Sequence, residues 1–341
     1  MSTQQDLSIG LGKETVYGTS VPAQTFLEFT NEKLTYAPSF YQGKGLRPRS
    51  QVARGSRRGI TQVKAEGSIE LEATTKGLGT LLAAAFGLST STAIPNQTGA
   101  YQQVHILDKD DWHPSYTIQK GIPLLGGAIQ ASTFIGAQCG SIKISAKKGD
   151  AVQVETEWVA KDVRNDVAYA SPSYAVGADI FTFVHGAITV GGTITPPTAT
   201  ALASGGTTVA TITEWDIEVK RNLDDNGWNL GSGTGRARPA ALGLTEITGS
   251  MKAEYSDNIL RDAYLANTPL SMVLTFTHPS RIGASTINPT LQVVVPQIRL
   301  EGDFPTSNGG DVIELDCKYV GLHDEVNEPI YVAYRTSDTA I

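Results

Sequence analysis

One motif constrains this chain more than any other: a half-buried strand that turns directly into an amphipathic helix, and the chain contains it twice. In residues 63–87 the apolar side chains first alternate, at Val63, Ala65, Ile69 and Leu71, while Lys64, Glu66, Ser68, Glu70 and Glu72 take the other face. A two-residue period predicts a strand with one face on a core. A hydroxyl at Thr74 or Thr75 is placed to cap a helix. Leu78, Leu81, Leu82, Ala85 and Phe86 then recur at helical spacing, and Gly87 offers a stop. Residues 246–267 repeat the pattern. Gly67-Ser68-Ile69 and Gly249-Ser250-Met251 stand 182 positions apart, and the same spacing brings Glu72 to Glu254 and Leu78 to Leu260. Ser256 or Asp257 is the cap of this copy, with Leu260, Ala263 and Tyr264 as its apolar stripe.

A second anchor follows in each half. Gly149-Asp150, then Val152, Val154, Thr156 and Trp158, matches Gly310-Asp311, then Ile313, Leu315, Cys317 and Tyr319, at a spacing of 161. The shorter spacing means the second copy has lost residues between its helix and its final hairpin. Two anchors in the same order point to tandem duplication of one unit.

A length of 341 residues suits two domains, each with its own core. Only 18% of residues are charged, Gly numbers 35 and Pro 16, and Val, Ile and Thr fill the periodic segments. The expected fold class is all-β, with two tandem β-sandwich or barrel domains and one short flanking helix per domain. The expected division is an extended N-terminal arm (1–25), a first domain (26–165), a connector (166–178) and a second domain (179–341). The arm orders only against something else, or is a plain disordered terminus.

Along the first half, 26–36 reads as a first strand or hairpin and 39–61 as a long loop. Further strands are expected at 102–107, 115–119, 130–134, 141–146 and 151–159. In the second half 180–184 and 187–190 read as a hairpin, and 191–206, rich in Gly, Thr and Pro, as a flexible excursion. A strand at 211–219 would bury Ile212, Trp215, Ile217 and Val219.

Both halves place a long Gly-rich loop between the same two strands, a length that marks function. The first carries Lys44, Arg47, Arg49, Arg54, Arg57 and Arg58 with no acidic residue. The second, 222–243, carries Asp224, Asp225, Arg236 and Arg238, and Arg236 lies 182 positions after Arg54.

A net charge of −7 argues against a general nucleic-acid binder. Two cysteines, Cys139 and Cys317, make no disulfide framework and read as buried small hydrophobes. The start lacks a cationic end followed by an apolar run, so cytoplasmic synthesis and folding are expected. No apolar run of about 18 residues spans a membrane.

Catalytic patterns do not survive inspection. The five histidines show no metal spacing. Asp108, Asp110, Asp111 and His113 read as a solvated turn, and the 231–235 glycine run lacks the Lys-Ser/Thr of a phosphate cradle. Glu155 with Glu157, like Glu70 with Glu72, reads as an ordinary solvated strand face. No cofactor and no enzymatic activity are expected.

The duplicated strand–helix unit, the long loop before it, the final hairpin and the opening GKETVYGTSVPAQTFLEF together resemble the tail tube (major tail) proteins of long, flexible-tailed bacteriophages, in the branch with two tube domains per chain. The similarity covers nearly the whole chain but rests on organisation, since no short motif marks the family. It implies sandwich domains whose inner sheets join neighbours in a closed ring of strands. Three such chains would make a pseudo-six-fold ring, with six chains as the second choice. Rings would stack into a tube that conducts DNA to the host without binding it specifically, the long loops touching the adjacent ring. Tail terminator, tape measure and distal tail proteins are the implied partners. The implied location is the virion, after assembly in the host cytoplasm. The terminal decoration domain of the family is not expected in this sequence.

On that reading some of Glu66, Glu70, Glu72, Glu155, Glu157, Glu254, Glu314 and Asp316 line the lumen. Alternatively, the same face meets outside solvent. The basic loop is a ring-to-ring contact or, less fittingly for a conduit, a DNA grip. The competing class is a β-sandwich adhesin or carbohydrate-binding module, with Trp112 and Trp228 as its exposed aromatics while Trp158 and Trp215 lie in core phase.

Overall fold

A computed structural model describes residues 6–49, 51–209, 211–255, 258–302 and 313–341. The first half contains β1 (Ser8–Lys13), β2 (Thr25–Leu27), β3 (Phe29–Glu32), β4 (Thr35–Gln42), β5 (Arg58–Glu72) and α1 (Gly79–Phe86). It continues with β6 (Gly87–Ala93), β7 (Tyr101–Leu107), β8 (Tyr116–Pro123), β9 (Ile129–Lys147), β10 (Gln153–Ala160) and β11 (Asp162–Arg164). The second half contains β12 (Gly186–Val190), β13 (Ile194–Thr195), β14 (Ser204–Gly205), β15 (Ile212–Lys220), β16 (Glu246–Glu254) and α2 (Ile259–Leu265). It ends with β17 (Leu270–Thr277), β18 (Thr290–Gly302), β19 (Glu314–Gly321) and β20 (Tyr331–Thr336). Among the described residues the chain is all-β with two short α-helices, as its composition and periodic segments predict.

The two halves repeat one connectivity. Each has an outer antiparallel sheet, β1–β8–β9–β11 in the first and β12–β17–β18–β20 in the second. Each has an inner sheet, β4–β5–β10–β9 and β15–β16–β19–β18. In both, one long strand leaves the outer sheet and enters the inner one. β9 passes through Gly136, which has a positive φ of 62°, and a bulge opposite Glu157/Trp158. β18 makes the passage at Pro296, where a missing N–H costs no ladder bond.

The spacings read from the sequence reappear in the strand register. Gln153 pairs with Glu72 and Ala160 with Ala65. In the second half Glu314 pairs with Glu254 and Gly321 with Ile247. Every rung of the β5–β10 ladder thus maps onto a rung of β16–β19. Gly67 pairs with Trp158 and Gly249 with Tyr319, so in each half a glycine stands opposite an aromatic residue, and at Gly249 the Tyr319 ring lies against the glycine.

β9 also pairs with β15, from Ser141 opposite Lys220 to Lys147 opposite Glu214. This antiparallel seam makes one inner sheet of eight strands, β4–β5–β10–β9–β15–β16–β19–β18. The apolar alternates of β5 (Val63, Ala65, Ile69, Leu71), with Trp158, Trp215, Ile217 and Val219, are buried beneath it, together with all five stripe residues of α1. Ile212 is half-buried and packs against that cluster. Cys139 and Cys317 are buried, and burial pushes both thiols upward.

Several local expectations change. The cores of the two halves are one contiguous cluster instead of two. Residues 8–13, expected in an arm, form β1 and bury Ile9 and Leu11 between sheets. The Glu14 carboxylate, itself buried, accepts hydrogen bonds from Ser115 Oγ (2.8 Å), Thr117 Oγ1 (2.9 Å) and the N–H groups of Gly18 and Gly136 (both 2.8 Å). The expected loop 39–61 is strand to Gln42 and again from Arg58. The strands expected at 130–134 and 141–146 are one strand, β9.

Residues 180–184 do not pair with β12, which pairs with β17; Phe183–His185 is a 3-10 turn. Residues 191–206 are held by the β13–β14 hairpin and by Gln102 and Gln292, which bond to the backbone of Thr198 and Ala203. The first helix starts at Gly79 without a hydroxyl cap, since Thr74 Oγ1 bonds to Lys76 O. Its stop at Gly87 has the positive φ expected, 89°. Ser256, Asp257, Gly310 and Asp311 lie outside the described residues.

Candidate assembly surfaces

The inner sheet has one face on the core and one face open. Direct cross-strand pairing shows which side chains share the open face. Glu70 stands opposite Glu155, Glu155 opposite Lys143, and Lys143 opposite Glu218. Farther along, Glu214 stands opposite Lys252, Lys252 opposite Asp316, and Glu254 opposite Glu314. All eight carboxylates singled out from the sequence, Glu66, Glu70, Glu72, Glu155, Glu157, Glu254, Glu314 and Asp316, fall on this one face. β15 adds Glu214, Asp216 and Glu218, which sequence reasoning missed although they alternate with Trp215, Ile217 and Val219.

The face is not uniformly acidic. Lys143 lies 3.9 Å from Asp216, and Lys252 forms an ion pair with Glu314 at 2.6 Å. Carboxylates nonetheless outnumber cations. Where the halves meet, the face forms a depression bordered by Glu70, Lys143, Lys147, Glu155, Glu214 and Asp216.

The two long loops lie at equivalent places and behave differently. The β4–β5 hairpin continues past the end of its own sheet, through the rungs Pro38–Val63 to Gln42–Arg58. It exposes Phe40, Tyr41 and Ile60, and beyond them Leu46 (99% exposed). Lys44, Arg47, Arg49, Arg57 and Arg58 are exposed and Arg54 half-buried. None of the six forms an ion pair among the described residues; Arg58 instead stacks on Phe40 at 4.4 Å.

The second loop folds back on the first half of its own chain. Arg236, 1% exposed, donates to Ala160 O (2.5 Å), Asp225 O (2.9 Å) and Asp225 Oδ2 (3.0 Å), and stacks on Trp228 at 4.6 Å. Arg238 pairs with Asp224 at 2.6 Å. These four charges therefore sit in internal pairs, and Arg236 is not on the surface. Trp228 is held by Arg236 and by Thr234 O, which leaves Trp112, at 64%, the one largely exposed tryptophan.

The turn expected to be solvated holds a buried cluster. Asp108 pairs with buried Arg221 and, at 2.7 Å, accepts from His113 Nδ1. Arg221 comes from the end of β15, so this ion pair ties the second half to the first. Burial lowers Arg221 to about 10, and it stays charged at neutral pH. Among the described residues no group of three His, Cys, Asp or Glu side chains could hold a metal ion, and no helix is long and apolar enough to cross a membrane.

Among the described residues the chain joins two like halves through one sheet, leaves one polar face of that sheet open and projects a basic hairpin whose cations form no ion pair. A family model described as Phage tail tube protein matches residues 4–321, and the chain belongs to that family. It is a structural component of a bacteriophage tail. No curated protein matches the chain.

Proposed function

We propose that this chain forms the rings of a tail tube, that rings stack, and that the open face of the inner sheet lines the channel through which DNA leaves the capsid. The observation that carries this reading is the placement of all eight carboxylates on one face of an eight-strand sheet. DNA presents one phosphate per about 1.7 Å of axis, so a net acidic wall repels it and lets it slide. Among the described residues β4 and the end of β18 (Arg299–Gly302) each have one unpaired edge, an aggregation hazard unless another chain covers it. Closure into a ring removes every edge. Two like halves per chain make three chains the natural count for a pseudo-six-fold ring, and the matching register supports descent of both halves from one duplicated unit.

The projecting β4–β5 hairpin, with unpaired cations and exposed Phe40 and Leu46, suits a contact with the next ring, where charge complementarity would set register. The second loop offers at most Asp224, Asp225 and Arg238 to such a contact. Terminator, tape measure and distal proteins would meet the tube at its ends, in the virion after assembly in the host cytoplasm. A tail of the long flexible kind fits this design.

Electron microscopy of purified protein at high concentration should show rings stacked into tubes; monodisperse particles at every concentration would point to the adhesin class. The double variant Arg54→Glu/Arg57→Glu should fold and still form rings but not stack. Normal tubes from that variant would refute the hairpin's role, and a reconstruction with the acidic face outward would refute the lining.

A further inference from the structure

We propose that the seam between the two halves, β9 against β15, is a copy in one chain of the junction between neighbouring chains, and that it gives the register of that junction. Gly302 of one copy stands opposite Tyr36 of the next, and Glu301 opposite Ala37. The proposal rests on the ring reading above and adds which strands meet, in which direction and on which rungs.

The mapping follows from pairings within the chain. Ile142 pairs with Thr156, and Gly302 pairs with Cys317, the repeat equivalent of Thr156. Gly302 therefore occupies the place of Ile142, and Glu301 that of Ser141. On the other side of the seam, Val219 pairs with Ile247 and Tyr36 with Ala65, again repeat equivalents. Tyr36 holds the place of Val219, and Ala37 that of Lys220. Since Ile142 faces Val219 and Ser141 faces Lys220 within the chain, the corresponding rungs between chains are Gly302–Tyr36 and Glu301–Ala37.

Three observations agree with this register. First, among the described residues β4 pairs only with β5, and Arg299–Gly302 pair only with β19, so both edges are open. Second, the faces agree. Ala37 and Glu301 lie on the open face, opposite Lys64 and Lys318, while Tyr36 and Gly302 lie in core phase, opposite Ala65 and Cys317. A slip of one residue would put every side chain on the wrong face. Third, Val219 is 1% exposed, whereas Tyr36, its equivalent, is 46% exposed. Tyr36 is a core-phase aromatic whose cover is missing in a lone chain, and a glycine on the facing rung leaves room for its ring.

The junction uses two different edges, so it is head-to-tail and propagates until a ring closes. A β4-to-β4 contact would instead stop at a dimer.

The test uses the full-length chain carrying Ala37→Cys and Glu301→Cys, oxidised under conditions where the unmodified chain forms rings. Covalent oligomers should appear that end in a closed ring, while Thr35→Cys with Glu301→Cys, two residues out of register, should cross-link at least about tenfold less. Tyr36→Ser should lower monomer melting only slightly, because the side chain is 46% exposed there. It should raise the concentration needed for rings about tenfold or more. Rings without the expected cross-link, or dimers from Ala37→Cys alone, would overturn the register and leave the ring reading standing. An unmodified chain that stays monomeric at every concentration would overturn both.

Discussion

Glu70 and Glu155 stand directly opposite one another on adjacent strands, two carboxylates on one rung of the open face. Glu70 has partners, Asn31 Nδ2 at 3.1 Å and Lys33 at 3.5 Å. Glu155 has no ion pair among the described residues, because its other neighbour, Lys143, leans toward Asp216. Like charges facing across a ladder cost stability, about 0.2–1 kcal/mol. Glu155→Gln should therefore raise the urea midpoint slightly. An unchanged or lower midpoint would mean the pair is already screened, and the face would then be costless to the fold.

The Asp108–Arg221 pair should behave in the opposite way. Removing one member strands a buried charge, at a cost of about 3–5 kcal/mol. Arg221→Met should lower the unfolding midpoint sharply, and Asp108→Leu added to it should recover part of the loss. If the double variant is no more stable than the single one, the pair is not what joins the halves there.

Gly249 tests the aromatic-over-glycine arrangement. A Cβ at this position would lie 2.3 Å from Asp216 O and 2.5 Å from the Tyr319 ring and hydroxyl, against backbone and a fully packed side chain. Gly249→Ala should cost about 1–3 kcal/mol, and combining it with Tyr319→Leu should cost less than the sum of the two changes. Strict additivity would show that Tyr319 is not the obstacle.

His105 makes stability depend on pH. Enclosed in the sheet between β6 and β20, with Nδ1 on Ser89 Oγ at 2.7 Å, it is lowered by burial to about 3 from an ordinary value of 6.5. The unfolded chain binds the proton first as pH falls, so the contribution of this group is full above 6.5 and declines through the window down to about 3. The slope approaches about 1.4 kcal/mol per unit within that window. His105→Gln should flatten the denaturation profile between pH 6 and 4, as followed by circular dichroism at fixed urea. A profile as steep as the parent's would assign the acid sensitivity elsewhere.

Glu14 anchors the first strand. Four donors converge on its buried carboxylate, and each bond to a charged acceptor contributes about 1.5–3 kcal/mol. Glu14→Ala should release β1, read as faster amide exchange at Ile9 and Leu11 with little change on β10. Uniform acceleration across the chain would instead make β1 part of the global unfolding unit.

The alternation in β5, β10 and β16 was legible because a half-buried strand writes its burial into every second residue. For the same reason the eight carboxylates of the open face could be named in advance. The glycine stop after α1 and the spacings of 182 and 161 were legible too, since each depends on neighbours in the chain. Strand partners were not. All backbone N–H and C=O groups are alike, so local pattern does not say that β7 joins β20, that β1 lies on β8, or that β9 is one strand serving two sheets. Nor did it say that Arg236, alike in sequence position to Arg54, would be buried under its own loop. Period and capping belong to the sequence because they act over a few residues; edge pairing and charge burial belong to the tertiary structure because they depend on which distant surface arrives.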